Sequence, residues 1–314
     1  MQSQDVEVSD MTVGWIGVGR MGLALCHRLL SAGVDLTVYN RTRDKVTELA
    51  ELGATVADSP AKLADRDFVV TMVSDPAAFR SVTTGPDGLF SVSGVSPQVL
   101  IDSSTVSADA SEEVRQAAAE RGSELLAAPV SGNPKVVKSG QLAVVASGPI
   151  TAFDKARPLL EMFGKGVSYV GEGDAARLVK ICHNLMLGIV SQTLAETAVL
   201  AERAGVSRAD YMEFINMSVM GSTFTKYKTP AIVNLDFTPS FTGHLLRKDF
   251  ELGLEAGRDF DVPLPTAALV HQMIMAMIGR GHGDEDFMRL LSVEAASAGI
   301  ELVAEDVEVD DGLS

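Results

Sequence analysis

Basic residues are scarce: 26 lysines and arginines stand against 42 aspartates and glutamates, a formal charge of −16 at pH 7. A field of that sign repels phosphate backbones and anionic lipid headgroups, which argues against nucleic acid and membranes as partners. Cysteine is nearly absent, with 2 in 314 residues, so a small disulfide-stapled scaffold is excluded. Cys26 and Cys182 fall in apolar helical stretches and read as buried thiols of a reducing compartment, the cytoplasm. Long hydrophobic runs are missing too. The most apolar segment is interrupted by Gln192, Glu196 and Glu202, short of the ~18 to 20 uninterrupted residues a bilayer span needs. The first residues carry Asp5, Glu7 and Asp10 with no basic or apolar stretch, and read as a loose leader rather than a targeting signal. His27, His244, His271 and His282 share no ligand spacing, so no metal is expected.

What is present is apolar content, 46% against 22% charged, enough for a globular chain, and a length that favours two domains over one. Short β-rich runs at 13–18, 36–39, 68–73, 99–102, 125–130, 142–146 and 167–170 alternate with helical patterns at 20–32, 43–52, 108–121 and 151–163. That rhythm predicts an α/β, Rossmann-type doubly wound parallel sheet. After Gly173 the strand signals stop. One long helical pattern runs over 174–204, and others follow at 209–218, 244–256, 266–280 and 287–298. The expected organisation is a disordered leader over 1–11, a nucleotide-binding domain over 12–173, an all-helical substrate and oligomerisation domain over 174–300, and an acidic disordered tail over 301–314.

The first strand runs directly into GVGRMG, where Gly17, Gly19 and Gly22 have GxGxxG spacing with Val18, Arg20 and Met21 between them, and a helix follows. The first glycine allows the tight turn, the second admits a pyrophosphate close to the backbone, and the third permits close helix packing. The helix N-terminus adds N–H donors and a favourable dipole. At the end of the second strand, NAD-binding chains place an acid on the ribose 2′-hydroxyl. Here VYNRT has Asn40, which does not repel a 2′-phosphate, with Arg41 as a cationic fork and Thr42 as a hydroxyl donor. NADP(H) is therefore the preferred cofactor, with NAD(H) possible.

With VVTMVSDPAA, IDSSTVS, APVSGNPKVVKSG, and GEGDAARLVKICHN followed by LLRKDFELGLEA, these segments give the chain, over 12–298, a resemblance to the β-hydroxyacid dehydrogenase family, a relative of 6-phosphogluconate dehydrogenase. The resemblance implies an NADP-dependent oxidoreductase interconverting a small β- or ω-hydroxyacid and its semialdehyde or keto form. It implies that Met72, Val73 and Ser74 run along the cofactor and that Thr105 lies on its nicotinamide side. Ser131 and Gly132 would hold the substrate carboxylate, with Asn133 beside them, and Lys180 would be catalytic. Asn184 would bind substrate, and Lys248 would reach back to the cofactor. A homodimer or homotetramer is also implied, with the Met-rich run HQMIMAMIG as adaptable apolar surface for core or interface.

Elementary chemistry agrees with the lysine. Reducing a carbonyl by hydride transfer leaves an alkoxide that needs a proton donor or cation. Lys180 and Asn184 are four apart, hence on one helix face. His183, beside them, reads as a polar or packing neighbour, its catalytic role open. The turn departs from the family form: Asn133 replaces a glycine, Pro134 stiffens the loop, and Val136 and Val137 stand where alanines are usual, while Lys135 and Lys138 either add charge for an anionic substrate or only solvate a loop. Two other activities compete with this reading, imine reduction and non-catalytic NADP binding. Lys180 argues against the first, and the intact glycine loop and lysine against the second.

Overall fold

The computed structural model describes residues 11–313. The leader expected at 1–11 lies, Met11 apart, outside the described residues. The chain divides into two compact units at the Lys180–Ile181 bond. The first contains, in order, β1 (Thr12–Ile16), α1 (Arg20–Ser31), β2 (Asp35–Tyr39), α2 (Thr47–Glu51), β3 (Thr55–Val56), β4 (Phe68–Thr71), α3 (Pro76–Thr83), β5 (Val99–Asp102), α4 (Ala108–Glu120), β6 (Glu124–Ala127), β7 (Val130–Ser131), α5 (Pro134–Lys138), β8 (Ala143–Ala146), α6 (Ile150–Glu161), β9 (Gly166–Tyr169) and the start of α7 (Ala175–Arg203).

Six strands form one parallel sheet in the order β3-β2-β1-β4-β5-β6. Strands β4 and β5 are buried along their whole length and β1 nearly so, as expected of a parallel sheet covered on both faces. Their residues are accordingly almost continuous apolar runs, such as FVVT and VLID. The chain order reverses between β1 and β4, and in open α/β sheets the carboxyl ends of the strands at such a switch point are where ligands bind.

The last strands of this unit depart from the sequence expectation. The run at 125–130 breaks after Ala127 because Pro129 has no N–H to give a ladder. The chain then leaves the main sheet, and β7, β8 and β9 form a separate three-stranded sheet, with β7 antiparallel and β9 parallel to β8. The helix expected at 43–52 is a 3-10 turn at Arg43–Val46 followed by the short α2.

The second unit continues α7 and adds α8 (Arg208–Met217), α9 (Thr223–Val233), α10 (Gly243–Asp259), α11 (Pro265–Met277) and α12 (Leu290–Ser297). Helix α7 is long and apolar enough, by length and composition alone, to pass for a membrane span, which the sequence reading did not allow for. Its Leu185, Leu194, Ala195, Ala198 and Val199 instead join Leu246, Phe250 and Ile274 in the core of this unit. Gly188 faces the Phe250 ring and Gly253 faces Leu185, each with no room for a Cβ, so α7 and α10 cross in close contact. Two sequence readings are corrected here. Cys182 is exposed, whereas Cys26 is buried and burial pushes its thiol well above its usual range. The stretch read as a disordered tail is tied down: Arg208, fully buried, donates to the carbonyls of Ile232, Val233 and Val303, and Glu305 accepts the N–H groups of Arg208 and Ala209.

Candidate active site

Parallel pairing sets the ends of four strands level. Ile16 of β1 is in register with Tyr39 of β2 and Thr71 of β4, and Thr71 with Asp102 of β5. The four loops that leave these residues are the glycine loop, Asn40 to Thr42, Met72 to Ser74, and Ser103 to Thr105. Their roots are stitched together by backbone bonds, Gly17 N–H to Tyr39 O at 3.0 Å and Met72 N–H to Ile16 O at 2.9 Å. Four segments that are far apart in sequence thus emerge side by side at the switch point. All of them, with Lys180, belong to the first unit.

Within GVGRMG the three glycines have different physical reasons. Gly17 has φ +102 and a Cβ there would overlap the Met72 carbonyl; a Cβ at Gly22 would overlap the Gly17 carbonyl, which also accepts the Trp15 indole N–H at 3.1 Å. Both are demanded by the protein's own packing. Gly19 is not: its φ is −83, open to any residue, and a Cβ would meet nothing within 4 Å. The smallest residue therefore faces open space at the N-cap of the twelve-residue α1, the arrangement that lets a pyrophosphate reach the N–H groups of a helix start. These residues fit a dinucleotide.

Asn40 braces this loop. Its Oδ1 accepts the Val18 N–H at 2.9 Å and its Nδ2 donates to the Thr42 carbonyl at 2.8 Å, so the side chain fastens the glycine loop to the end of β2. Arg41 and Thr42 are exposed beyond it, and Arg43 pairs with Asp58 at 2.7 Å. The Ser74 hydroxyl and the Ala78 N–H hold the Asp75 carboxyl below the usual range, with Arg41 adding a smaller pull.

The turn after β6 is tied to the same edge, because the Ala128 N–H bonds the Asp102 carbonyl and the Ser103 hydroxyl bonds the Ala128 carbonyl. Ser131 ends β7, and Gly132 has φ +148 with no room for a Cβ against Val136 and Leu142. Asn133 caps α5, its Oδ1 accepting the Val136 N–H at 3.1 Å. Val136 and Val137 are buried within the first unit, so their bulk is packed in its interior.

In the second unit Asn184 and Lys248 meet a residue that the sequence reading passed over. Asp249, buried, accepts the Asn184 Nδ2 amide at 2.5 Å and lies 3.7 Å from Lys248 Nζ. The close crossing of α7 and α10 brings them together. With Nδ2 turned to a carboxylate, Asn184 Oδ1 faces His183 Nδ1 at 2.9 Å, and that nitrogen must carry the proton. The signal was present in the KD dipeptide, but an acid adjacent to a cation on a helix ordinarily reads as a solvated surface charge. Among the described residues no group of three or more His, Cys, Asp or Glu is placed to hold a metal ion.

Two family models match the chain. Residues 12–171 match the NAD-binding domain of 6-phosphogluconate dehydrogenase, and residues 173–293 match the NAD-binding domain of NADP-dependent 3-hydroxyisobutyrate dehydrogenase. Glyoxylate/succinic semialdehyde reductase 1 of Arabidopsis thaliana is 32% identical over 287 residues, 90% of this chain and 97% of that protein. A crystal structure of 3-hydroxyisobutyrate dehydrogenase from Salmonella typhimurium is similar at 27% identity and a TM-score of 0.80, covering 90% of this chain and 100% of that one. A structure of Psf3 in complex with NADP+ and 2-OPP has 25% identity and a TM-score of 0.81, covering 90% and 99%.

Proposed function

The chain belongs to the β-hydroxyacid dehydrogenase family, and from that premise we propose that it is an NADP-preferring reductase of a small semialdehyde or keto acid, with Lys180 as the proton donor. The coarser part of this needs no proposal: it is an NAD(P)-binding oxidoreductase acting on hydroxyacids or their carbonyl forms. The finer reading is carried by the level strand ends, which gather the glycine loop, the Arg41 loop, Met72 to Ser74 and Thr105 in the unit that bears Lys180.

When bound, the reduced nicotinamide supplies the electron pair and hydrogen that reduce the carbonyl carbon. The chain's own residues do the rest. Gly17 to Gly22 and the start of α1 hold the pyrophosphate, while Arg41 and Thr42 take the 2′-phosphate. Met72 to Ser74 and Thr105 hold the remainder of the coenzyme. Ser131, Gly132 and Asn133 take the substrate carboxylate. Lys180 donates a proton to the carbonyl oxygen as negative charge develops there, and Asn184 binds the substrate one helical turn further on. In the oxidative direction the neutral amine takes the hydroxyl proton back.

Gly19→Ala adds a methyl to open space, so the thermal midpoint should hold within about 2 °C while NADPH affinity falls at least about tenfold, read by quenching of intrinsic fluorescence. Gly17→Ala, strained in φ and overlapping Met72, should lose stability as well, by about 1 to 3 kcal/mol. Equal stability losses in both variants would remove the argument from Gly19. Arg41→Ala should weaken NADPH by at least about tenfold and leave NADH nearly unchanged, since a charge-assisted contact to phosphate is worth about 1.5 to 3 kcal/mol. Parallel losses for the two coenzymes would sink the 2′-phosphate assignment.

We also propose that the helical unit self-associates. Phe214, Met217, Val219 and Met220 run together at the end of α8 and are all exposed, an apolar cluster of the kind that marks interaction surfaces. Sedimentation should show a dimer or tetramer that Met217→Glu/Met220→Glu dissociates; a wild-type monomer at micromolar concentration would contradict it.

A further inference from the structure

Two charged residues beside the expected site have no role in the family resemblance: Asp102, three residues before Thr105, and Arg177, three residues before Lys180. The structure joins them. Arg177 is 6% exposed and Asp102 0%, with Arg177 Nη1 2.8 Å from Asp102 Oδ2. The same Nη1 donates to the Ser104 carbonyl at 3.0 Å, in the peptide that leads into Thr105. Arg177 Nε donates to the Ser111 hydroxyl of α4 at 3.1 Å and to Asp174 Oδ1 at 3.2 Å. Asp102 Oδ1 accepts the Thr71 hydroxyl of β4 at 2.6 Å, and the Ser104 hydroxyl accepts the Val73 N–H at 2.9 Å.

A buried ion pair is a poor stabiliser, because stripping water from both charges cancels most of their attraction, and apolar residues of the same size serve the fold as well or better. Directed geometry is what such a pair offers in exchange. The planar guanidinium donates at set angles, to the Ser104 carbonyl in the loop bearing Thr105, to the Ser111 hydroxyl of α4 and to Asp174 just before α7, with the Asp102 carboxylate at the end of β5 at ion-pair distance. Lys180 sits three residues on, on the adjoining helix face.

We propose that Arg177 is a positioning residue: its buried pairing with Asp102 locks the first turns of α7, and with them Lys180, to the Ser103 to Thr105 loop. The inference rests on the reductase reading above, in which that loop lies beside the nicotinamide and Lys180 gives the proton. It adds that the distance between the two is set by one arginine. Misplacement of a reacting group by about 1 Å can cost about a hundredfold in rate, so the effect should fall on the chemical step and not on binding.

The test compares wild type with Arg177→Met, which keeps volume and loses the fork, and Arg177→Lys, which keeps charge and loses the planar geometry. For each, kcat, KM and the NADPH dissociation constant are measured together with the thermal midpoint and hydrogen exchange. Arg177→Met should lower kcat by about 10- to 100-fold with KM and coenzyme affinity within about threefold, and Arg177→Lys should recover part of the loss. Amide exchange should rise together in 103–105 and 176–180. If kcat per folded molecule is kept, or exchange rises in 176–180 alone, the pair is merely structural and the proposal is wrong. Where Arg177→Met does not fold, Arg177→Lys decides by the same readouts. If wild type reduces no substrate, the reductase reading fails by itself, and the paired exchange still decides whether Arg177 locks the two segments.

Discussion

Lys180→Ala should lower kcat for carbonyl reduction by about 10²- to 10⁴-fold, the usual worth of a positioned general acid, and leave NADPH affinity within about threefold. The expectation rests on charge. Reduction places negative charge on an oxygen that must be protonated, and the chain offers an ammonium for it on α7, anchored three residues earlier by the buried Arg177. A second variant separates proton donation from mere attraction. Lys180→Arg keeps a positive charge, but a guanidinium does not release its proton under ordinary conditions. Its kcat should therefore stay within about tenfold of the alanine variant. Substantial activity in Lys180→Arg would assign the lysine an electrostatic role, and substantial activity in Lys180→Ala would remove it from the chemistry.

The largest stability effect is expected far from that lysine, at Lys228→Met. Lys228 is 3% exposed and Asp286 2%. The ammonium lies 2.7 and 2.8 Å from the two carboxylate oxygens, 2.9 Å from the Ser240 hydroxyl, and 4.2 Å from the centre of the Phe287 ring. Burial pulls the Lys228 pKa below its usual value, and Asp286 opposes that pull without overcoming it. Asp286 also accepts the Ser240 and Met288 N–H groups, and so fixes the start of the 3-10 turn at Phe287–Arg289 and the approach to α10. Removing the lysine strands a buried carboxylate, at a cost of about 3 to 5 kcal/mol, which corresponds to a fall in thermal midpoint of roughly 5 to 8 °C.

In Lys228→Met the stranded carboxyl favours its protonated form, so its folded pKa rises above the unfolded value. The folded variant then binds protons more readily than the unfolded chain, and its deficit relative to wild type shrinks as pH falls toward that raised pKa. Melts at pH 5 and pH 8 check this. A deficit below about 1 kcal/mol, or one that grows on acidification, would mean the pair is not electrostatically important.

How much was legible depended on whether a local pattern had one physical explanation. The strand at 68–71 and the turn at Gly17 to Gly22 were readable because continuous apolar residues and GxGxxG at a strand end each admit few alternatives. Helix α9 was not: Pro230 lies inside it and masks the period, although Ser222 and Thr225 form a capping box at its start. Helix α3 had the plain signal of Asp75 as cap and Pro76 in the first turn, and it was passed over because Asp75 and Pro76 served only as part of a motif. The second sheet was hidden because β8 and β9 carry the same apolar pattern whichever sheet they join, and only the break at Pro129 decides. Among the candidate site residues, the glycine loop and Asn40 lie at the ends of β1 and β2, and the brace from Asn40 Oδ1 to Val18 has no signal in the sequence. Asp249 and Arg177 were missed for a common reason: a charge on a helix reads as solvated until tertiary packing buries it.

The measurement that bears most directly on the account is the initial rate of NADPH and NADH oxidation by the wild-type chain with succinic semialdehyde, glyoxylate, tartronate semialdehyde and methylmalonate semialdehyde. The account predicts saturable turnover of at least one of them, with kcat/KM for NADPH at least about tenfold above that for NADH, as a charge-assisted phosphate contact supplies. Saturable NADPH binding with no turnover of any of the four, or an equal rate with NADH, would contradict it.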